Sequence, residues 1–183
     1  MLRGLDEELA AHKYSHVERE RRFLVDPLKR PSLDGCRSIL IEDLYIADTR
    51  CRLRRMTDRV GGRVVLKLSK KYDVADPLAR PLVTTYLTLQ EYALFAALPG
   101  HWLRKRRHTV PSASGEFGGD LFEGSLAGLE LAEIEQPDAA SLAAVPVPEW
   151  ARAEVTYDLG FQGGKLAVLS PANARNFVRQ TMR

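Results

Sequence analysis

The run HVERERRFLVDP, His16 to Pro27, alternates with period two. It sets Glu18, Glu20 and Arg22 on one side and Val17, Arg19, Arg21 and Phe23 on the other. Such alternation reads as a β-strand. Two acids placed two residues apart on one strand face repel each other, which costs stability unless something cationic sits between them. The fold must therefore bring positive charge to this face.

Period two returns along most of the chain. SILIEDLYIAD (38–48) is a second β-rich run, followed by TRCRLRRM (49–56). A turn at Gly61-Gly62 leads into the strand VVLKLSKKY, and PLVTTYL (81–87) is a further β-branched stretch. The period then changes. Thr88 and Glu91 have capping-box spacing, Leu89, Tyr92, Phe95, Ala96 and Leu98 recur at helical intervals, and Pro99-Gly100 closes the helix. WLRKRRHTV, GEFGGDLFEG, LAGLELAEIE and RAEVTYDLGF read as four more strands, with a short helix in PDAASLAAVPVP between the last two. Ser170 and Pro171 open a terminal helix. About eight strands at hairpin-like spacing predict an α+β, mainly β fold: an antiparallel sheet or closed barrel, with a few helices outside.

The charges are grouped by sign on these strands. Arg52 and Arg54 share one face, as do Lys67 and Lys71, and Lys105 and Arg107; Glu133 and Glu135 share another with Leu129 and Leu131. Any one of these strands alone reads as an ordinary solvated face. A surface shaped for solubility, however, intersperses its signs. If the strands close with these faces inward, seven basic side chains (Arg22 and the six just named) meet four acids (Glu18, Glu20, Glu133, Glu135). Burying unpaired charge costs several kcal/mol per ion, so such a cavity must be wet and filled with counter-charge. Spaced phosphates suit Arg and Lys. The glutamates suit a divalent cation, Mg²⁺ or Mn²⁺, which takes carboxylate, water and phosphate ligands.

Composition bounds the alternatives. The chain has 183 residues, 45% of them apolar, and reads as one domain: a core of about 15–183 behind an extension, 1–14, whose first 13 residues form a short polar helix or lie loose. A net charge of +3 is too mild for a dedicated nucleic-acid binder, and the basic run 104–107 lacks interleaved aromatics. Cys36 and Cys51 give no disulfide framework or metal spacing. GGK (163–165) lacks the flanking glycine and hydroxyl of a P-loop. The N-terminal stretch has no signal-peptide core, and no apolar run approaches the roughly 20 residues that span a bilayer. The expectation is a soluble cytoplasmic protein, monomer or homodimer, without a membrane or nucleic-acid partner.

VERERRFLV resembles the ExExK signature that opens the CYTH domain, the core of the triphosphate tunnel metalloenzymes, with Arg22 where the family usually has Lys. YIADTRCRLRR is similar to the family's RxR segment (Arg52, Arg54), LKLSKK to its LTxK strand (Lys71, with Lys67 beside it), and LRKRRH to its KxR strand (Lys105, Arg107). GGDLFEGSLAGLELAEIE resembles DxFxGxxxGLxxAExE, with Asp120, Glu133 and Glu135, and PEWARAEVTYD resembles PxWxxxEVTxD, with Glu154. The order and spacing of these segments carry the resemblance along nearly all the chain after residue 15. It implies a tunnel of eight antiparallel strands that binds a triphosphate with Mg²⁺ or Mn²⁺. Known activities of the family are inorganic, thiamine and RNA triphosphatase and class IV adenylate cyclase. The resemblance implies that Glu18, Glu20, Glu133 and Glu135 hold metal, that Arg52, Arg54, Lys67, Lys71, Lys105 and Arg107 act on the triphosphate, and that Arg22 touches substrate phosphate. Hydrolysis is the expected reaction; a phosphate-binding module without turnover and a cyclase are the alternatives. Two segments depart from the pattern. RPLVTTYLTLQEY carries Thr84, Thr85 and Tyr86 where the family often has acids, and FQGG replaces a YxN turn. The first departure leaves one metal site or two open.

Overall fold

The structure, a computed structural model, describes residues 15–72 and 78–182. Nine strands follow one another as β1 (His16–Val25), β2 (Ser38–Ile46), β3 (Cys51–Asp58), β4 (Val64–Lys71), β5 (Ala79–Tyr86), β6 (Gly100–Ser112), β7 (Gly115–Phe122), β8 (Glu130–Glu135) and β9 (Ala151–Glu154). They pair antiparallel in the order β5-β4-β3-β2-β6-β7-β8-β1, and β1 also pairs with β5, which closes an eight-stranded barrel. β1 accomplishes the closure by dividing one edge. His16–Arg19 pair with β5, and Phe23–Val25 pair with β9, which stands outside the barrel. The expectation of a mainly β, closed eight-stranded barrel with helices outside is met.

The apolar material lies mostly outside the barrel wall. Leu44, Ile46 and Leu53 turn outward and are covered by Tyr92, Phe95 and Ala96 of α1 (Leu89–Ala96). The capping box forms as its spacing requires, with Glu91 N donating to Thr88 Oγ1 and Thr88 N donating to Glu91 Oε2. A second cluster joins Phe23, Phe117, Ala132 and Ile134 to Val145, which follows α2 (Ala139–Ala144), and to Trp150; Phe117 meets Trp150 edge to face with ring centroids 5.3 Å apart. A third cluster fills one end of the lumen. Leu24, Leu103, Phe122 and Leu131 are covered there by Leu126, Phe161, Leu166 of α3 (Gly163–Ala167) and Ala174 of α4 (Pro171–Thr181). Ser170 caps α4 through Asn173 N, with Pro171 in its first turn.

One expected strand is cut short. RAEVTYDLGF is extended only over Ala151–Glu154. Beyond it the hydroxyl of Thr156 takes the Arg22 N–H, and Asp158 caps a 3-10 turn over Leu159–Phe161 by accepting from Gly160 N. The reading of residues 1–13 lies outside the described residues. Among the described residues no helix is long and apolar enough to cross a membrane.

Candidate active site

The barrel register decides which side chains share the lumen. On β1 and β8, Glu20 lies opposite Glu135 and Arg22 opposite Glu133. On the far arc, Arg54 of β3 lies opposite Asp43 of β2 and Lys67 of β4, while Lys105 of β6 lies opposite Ile41. One wall is thus acidic and the other basic, around a cavity of about 630 Å³. Ten of the eleven sequence-derived site residues line it: Glu18, Glu20, Arg22, Arg52, Arg54, Lys71, Lys105, Arg107, Glu133 and Glu135. Lys67 does not; it faces the same side as Arg54, its cross-strand partner, where burial and then Arg54 and Arg52 push its ammonium pKa down.

Each arm of the basic wall has a buried carboxylate at its root. Asp43 is fully buried and grips Arg54 through both oxygens at 2.6 Å, with Arg52 Nε 3.8 Å away. Asp120 is also buried; it accepts Lys105 Nζ at 2.5 Å and Arg107 through two bonds at 2.7 and 2.6 Å. Fork-to-fork pairs of this kind fix direction as well as charge. Burial alone would raise the Asp43 carboxyl, but Arg54 and Arg52 outweigh it and hold the pKa below the usual carboxylate range. Burial lowers the Lys105 pKa in spite of Asp120. Tyr45, half-buried on the same face of β2, interacts with Arg52.

The acidic wall is held by cations of its own. Glu18 accepts the Lys71 ammonium, Glu20 accepts Arg22 Nη2 at 2.9 Å, and Glu133 accepts Arg22 Nε at 2.8 Å and Arg107 Nη2. Glu135 stands at the exposed rim beside His16, 3.1 Å away. Burial would raise all three inner carboxyls. Arg22 and Arg107 overcome it at Glu133, which falls well below its ordinary pKa, and Lys71 overcomes it at Glu18. Glu20 stays raised, because the charge of Glu133 adds to its burial. The repulsion written into the first strand is therefore only partly relieved. Among the described residues no three acids, histidines or cysteines are gathered into a ligand cluster. As chemistry the donors fit a hard divalent cation: they are all carboxylate oxygens on one wall, and Glu20 is under-compensated.

Several residues of the cavity were not expected. Asp43 and Tyr45 lie in a run that reads as apolar, and Arg80 and Gln162 lie in the two segments that depart from the family pattern. Gln162, with its amide oriented to satisfy both groups, accepts from Arg80 Nη2 at 2.6 Å and ties β5 to the turn before α3. Thr84 bonds Ser69 at 2.9 Å, and Tyr86 is exposed. Glu154 lies on the outer side of β1, bound to Arg21 at 2.9 and 2.6 Å.

By sequence, no family model and no characterised protein matches the chain. By structure, the inorganic triphosphatase NE1496 is similar, with a TM-score of 0.57 and 23% sequence identity over 84% of this chain and 96% of that one. A second structure of NE1496 gives a TM-score of 0.56 and 22% identity over 83% of this chain and 98% of that one. The likeness is one of fold: the closed antiparallel barrel that the CYTH resemblance implied is the barrel observed.

Proposed function

We propose that the chain is a metal-dependent triphosphatase acting on inorganic tripolyphosphate. The observation that carries this reading is the inverted interior, a closed barrel with carboxylates on one wall and carboxylate-rooted cations on the other. Arg52, Arg54, Lys71, Lys105 and Arg107 bind the phosphate oxygens and stabilise the charge that spreads over them as the anhydride breaks. Asp43 and Asp120 keep these cations aimed before substrate arrives, so that little reorganisation remains. Lys67 adds its field from beside Arg54. Glu18, Glu20, Glu133 and Glu135 would hold Mg²⁺ or Mn²⁺, whose chemistry when bound is Lewis-acid polarisation of phosphate and water oxygens.

An inorganic substrate is favoured over a nucleotide by the lining. Its aromatic members are Tyr45, Phe122 and Phe161; the two phenylalanines are buried and Tyr45, half-buried, has its ring against Gly163 and Gly164, which leaves little aromatic surface for a base to stack on. The similarity to the inorganic triphosphatase NE1496 supports the same choice. The test is orthophosphate release from tripolyphosphate and from ATP, with Mg²⁺ or Mn²⁺ titrated. Release from tripolyphosphate should require metal, exceed release from ATP, and fall at least about a hundredfold in Glu133→Gln or Arg52→Ala. Tight binding with no release would leave a phosphate-binding module, and cyclic AMP formed from ATP would make the protein a cyclase.

A further inference from the structure

Arg22 lies on the acidic wall, on the first strand between two glutamates, and shares one of them, Glu133, with Arg107. All three of its guanidinium nitrogens donate to protein oxygens: Nε to Glu133 at 2.8 Å, Nη2 to Glu20 at 2.9 Å and Nη1 to the Phe161 carbonyl at 3.3 Å. Its backbone N–H is fixed by Thr156, and its side chain is only 12% exposed. Arg52, by contrast, has a buried Nε without a hydrogen-bond partner. A guanidinium has five N–H donors in a rigid plane and three of Arg22's are committed, so turning the plane to grip a phosphate with its fork would mean giving up the carboxylates it joins. Of the neighbouring carboxylates Glu133 repels Glu20 most, and Arg22 is bonded to both.

We infer that Arg22 is a positioning residue that acts as a fixed protein cation within the carboxylate wall, and that it limits the wall to one divalent ion. It holds Glu20 and Glu133 together through permanent bonds, fills the gap between them, and repels a second ion from the same oxygens. This rests on the triphosphatase reading for the identity of the ligands. It assigns Arg22 to the metal side of the site, where the resemblance placed it on substrate phosphate.

Two binding measurements test it without turnover. Mn²⁺ bound per chain is counted by electron paramagnetic resonance in the absence of polyphosphate. Tripolyphosphate affinity is measured by calorimetry in the presence of chelator. Wild-type protein should bind one Mn²⁺. Arg22→Gln should bind a second Mn²⁺, or the first about tenfold more tightly, with tripolyphosphate affinity changed less than about twofold. Arg22→Lys, which keeps a charge but offers one nitrogen, should keep one Mn²⁺ and unchanged tripolyphosphate affinity, and it carries the test alone if the glutamine variant does not fold. A tenfold loss of tripolyphosphate affinity in either variant, a second Mn²⁺ in the lysine variant, or a glutamine variant unchanged in both measurements would overturn the inference. Wild-type protein that takes two Mn²⁺ would overturn it while leaving the triphosphatase reading intact. Wild-type protein that binds neither probe would overturn the triphosphatase reading, and this inference with it.

Discussion

At the scale of single residues, the site depends on acids that never touch the cavity. Asp43 is buried against Arg54 and Arg52, and removing its charge leaves two arginines facing each other without a counter-ion. Breaking a buried pair in this way costs about 3–5 kcal/mol, so Asp43→Asn should lower the melting temperature by on the order of 10 °C at pH 7. The sign with pH follows from the carboxyl's position below its unfolded value of about 3.9. Its contribution is complete above that value and is lost as pH falls through the folded pKa. Melting curves of wild type and variant should therefore converge as pH is taken from 5 toward 2. A gap that stays constant over that range would mean that Asp43 stabilises by shape rather than by charge. The variant should also weaken tripolyphosphate binding, since Arg54 would no longer be held by its fork.

At the scale of elements, what was legible depended on how far a feature is written along one strand. The strands with lumen-facing charge are unmistakable, because Glu18-Glu20-Arg22, Arg52-Arg54, Lys105-Arg107 and Glu133-Glu135 each repeat on one parity. Asp43 was hidden because it is the second of two adjacent acids in SILIEDLYI, and only its register opposite Arg54 shows that it faces inward while Glu42 does not. The shortening of β9 could not be read either, since EVTYD is good strand sequence; the hydroxyl of Thr156 replaces a ladder partner there. Gly163 illustrates the same limit. GGK lacks the marks of a P-loop and otherwise reads blandly, yet a Cβ at Gly163 would collide with the phenol oxygen of the half-buried Tyr45. The ring packs against the cluster at the end of the lumen and interacts with Arg52, so swinging it aside gives up both contacts. Gly163→Ala should cost about 1–3 kcal/mol, seen as a melting temperature lower by roughly 3–10 °C. An alanine variant as stable as wild type would show that the turn before α3 can retreat from the barrel.

At the scale of the whole molecule, the barrel departs from the usual arrangement of a globular protein, with two apolar clusters outside the wall, a third plugging one end of the lumen, and ions in the rest of the interior. Among the described residues nine basic and five acidic side chains line the cavity, and the buried Asp43 and Asp120 at its base do not bring the count to balance. The ligand-free fold therefore holds like charges together, and an anion that spans them should stabilise it. At a hundredfold excess over its dissociation constant a ligand adds about 2.7 kcal/mol, so tripolyphosphate should raise the melting temperature by roughly 5–10 °C. Chain length is the informative variable. Orthophosphate can neutralise charge but cannot reach Arg54 and Lys71 at once, whereas a linked triphosphate makes the second and third contacts intramolecular. The shift should therefore rise steeply from orthophosphate through pyrophosphate to tripolyphosphate at equal concentration. It should shrink only modestly between 0.05 and about 0.15 M salt, because the cations lie inside the wall, where screening is weak. Equal shifts from all three anions would reduce the interior to a general sink for negative charge, and the register that pairs Arg54 with Asp43 and Arg107 with Asp120 would then have no bearing on substrate choice.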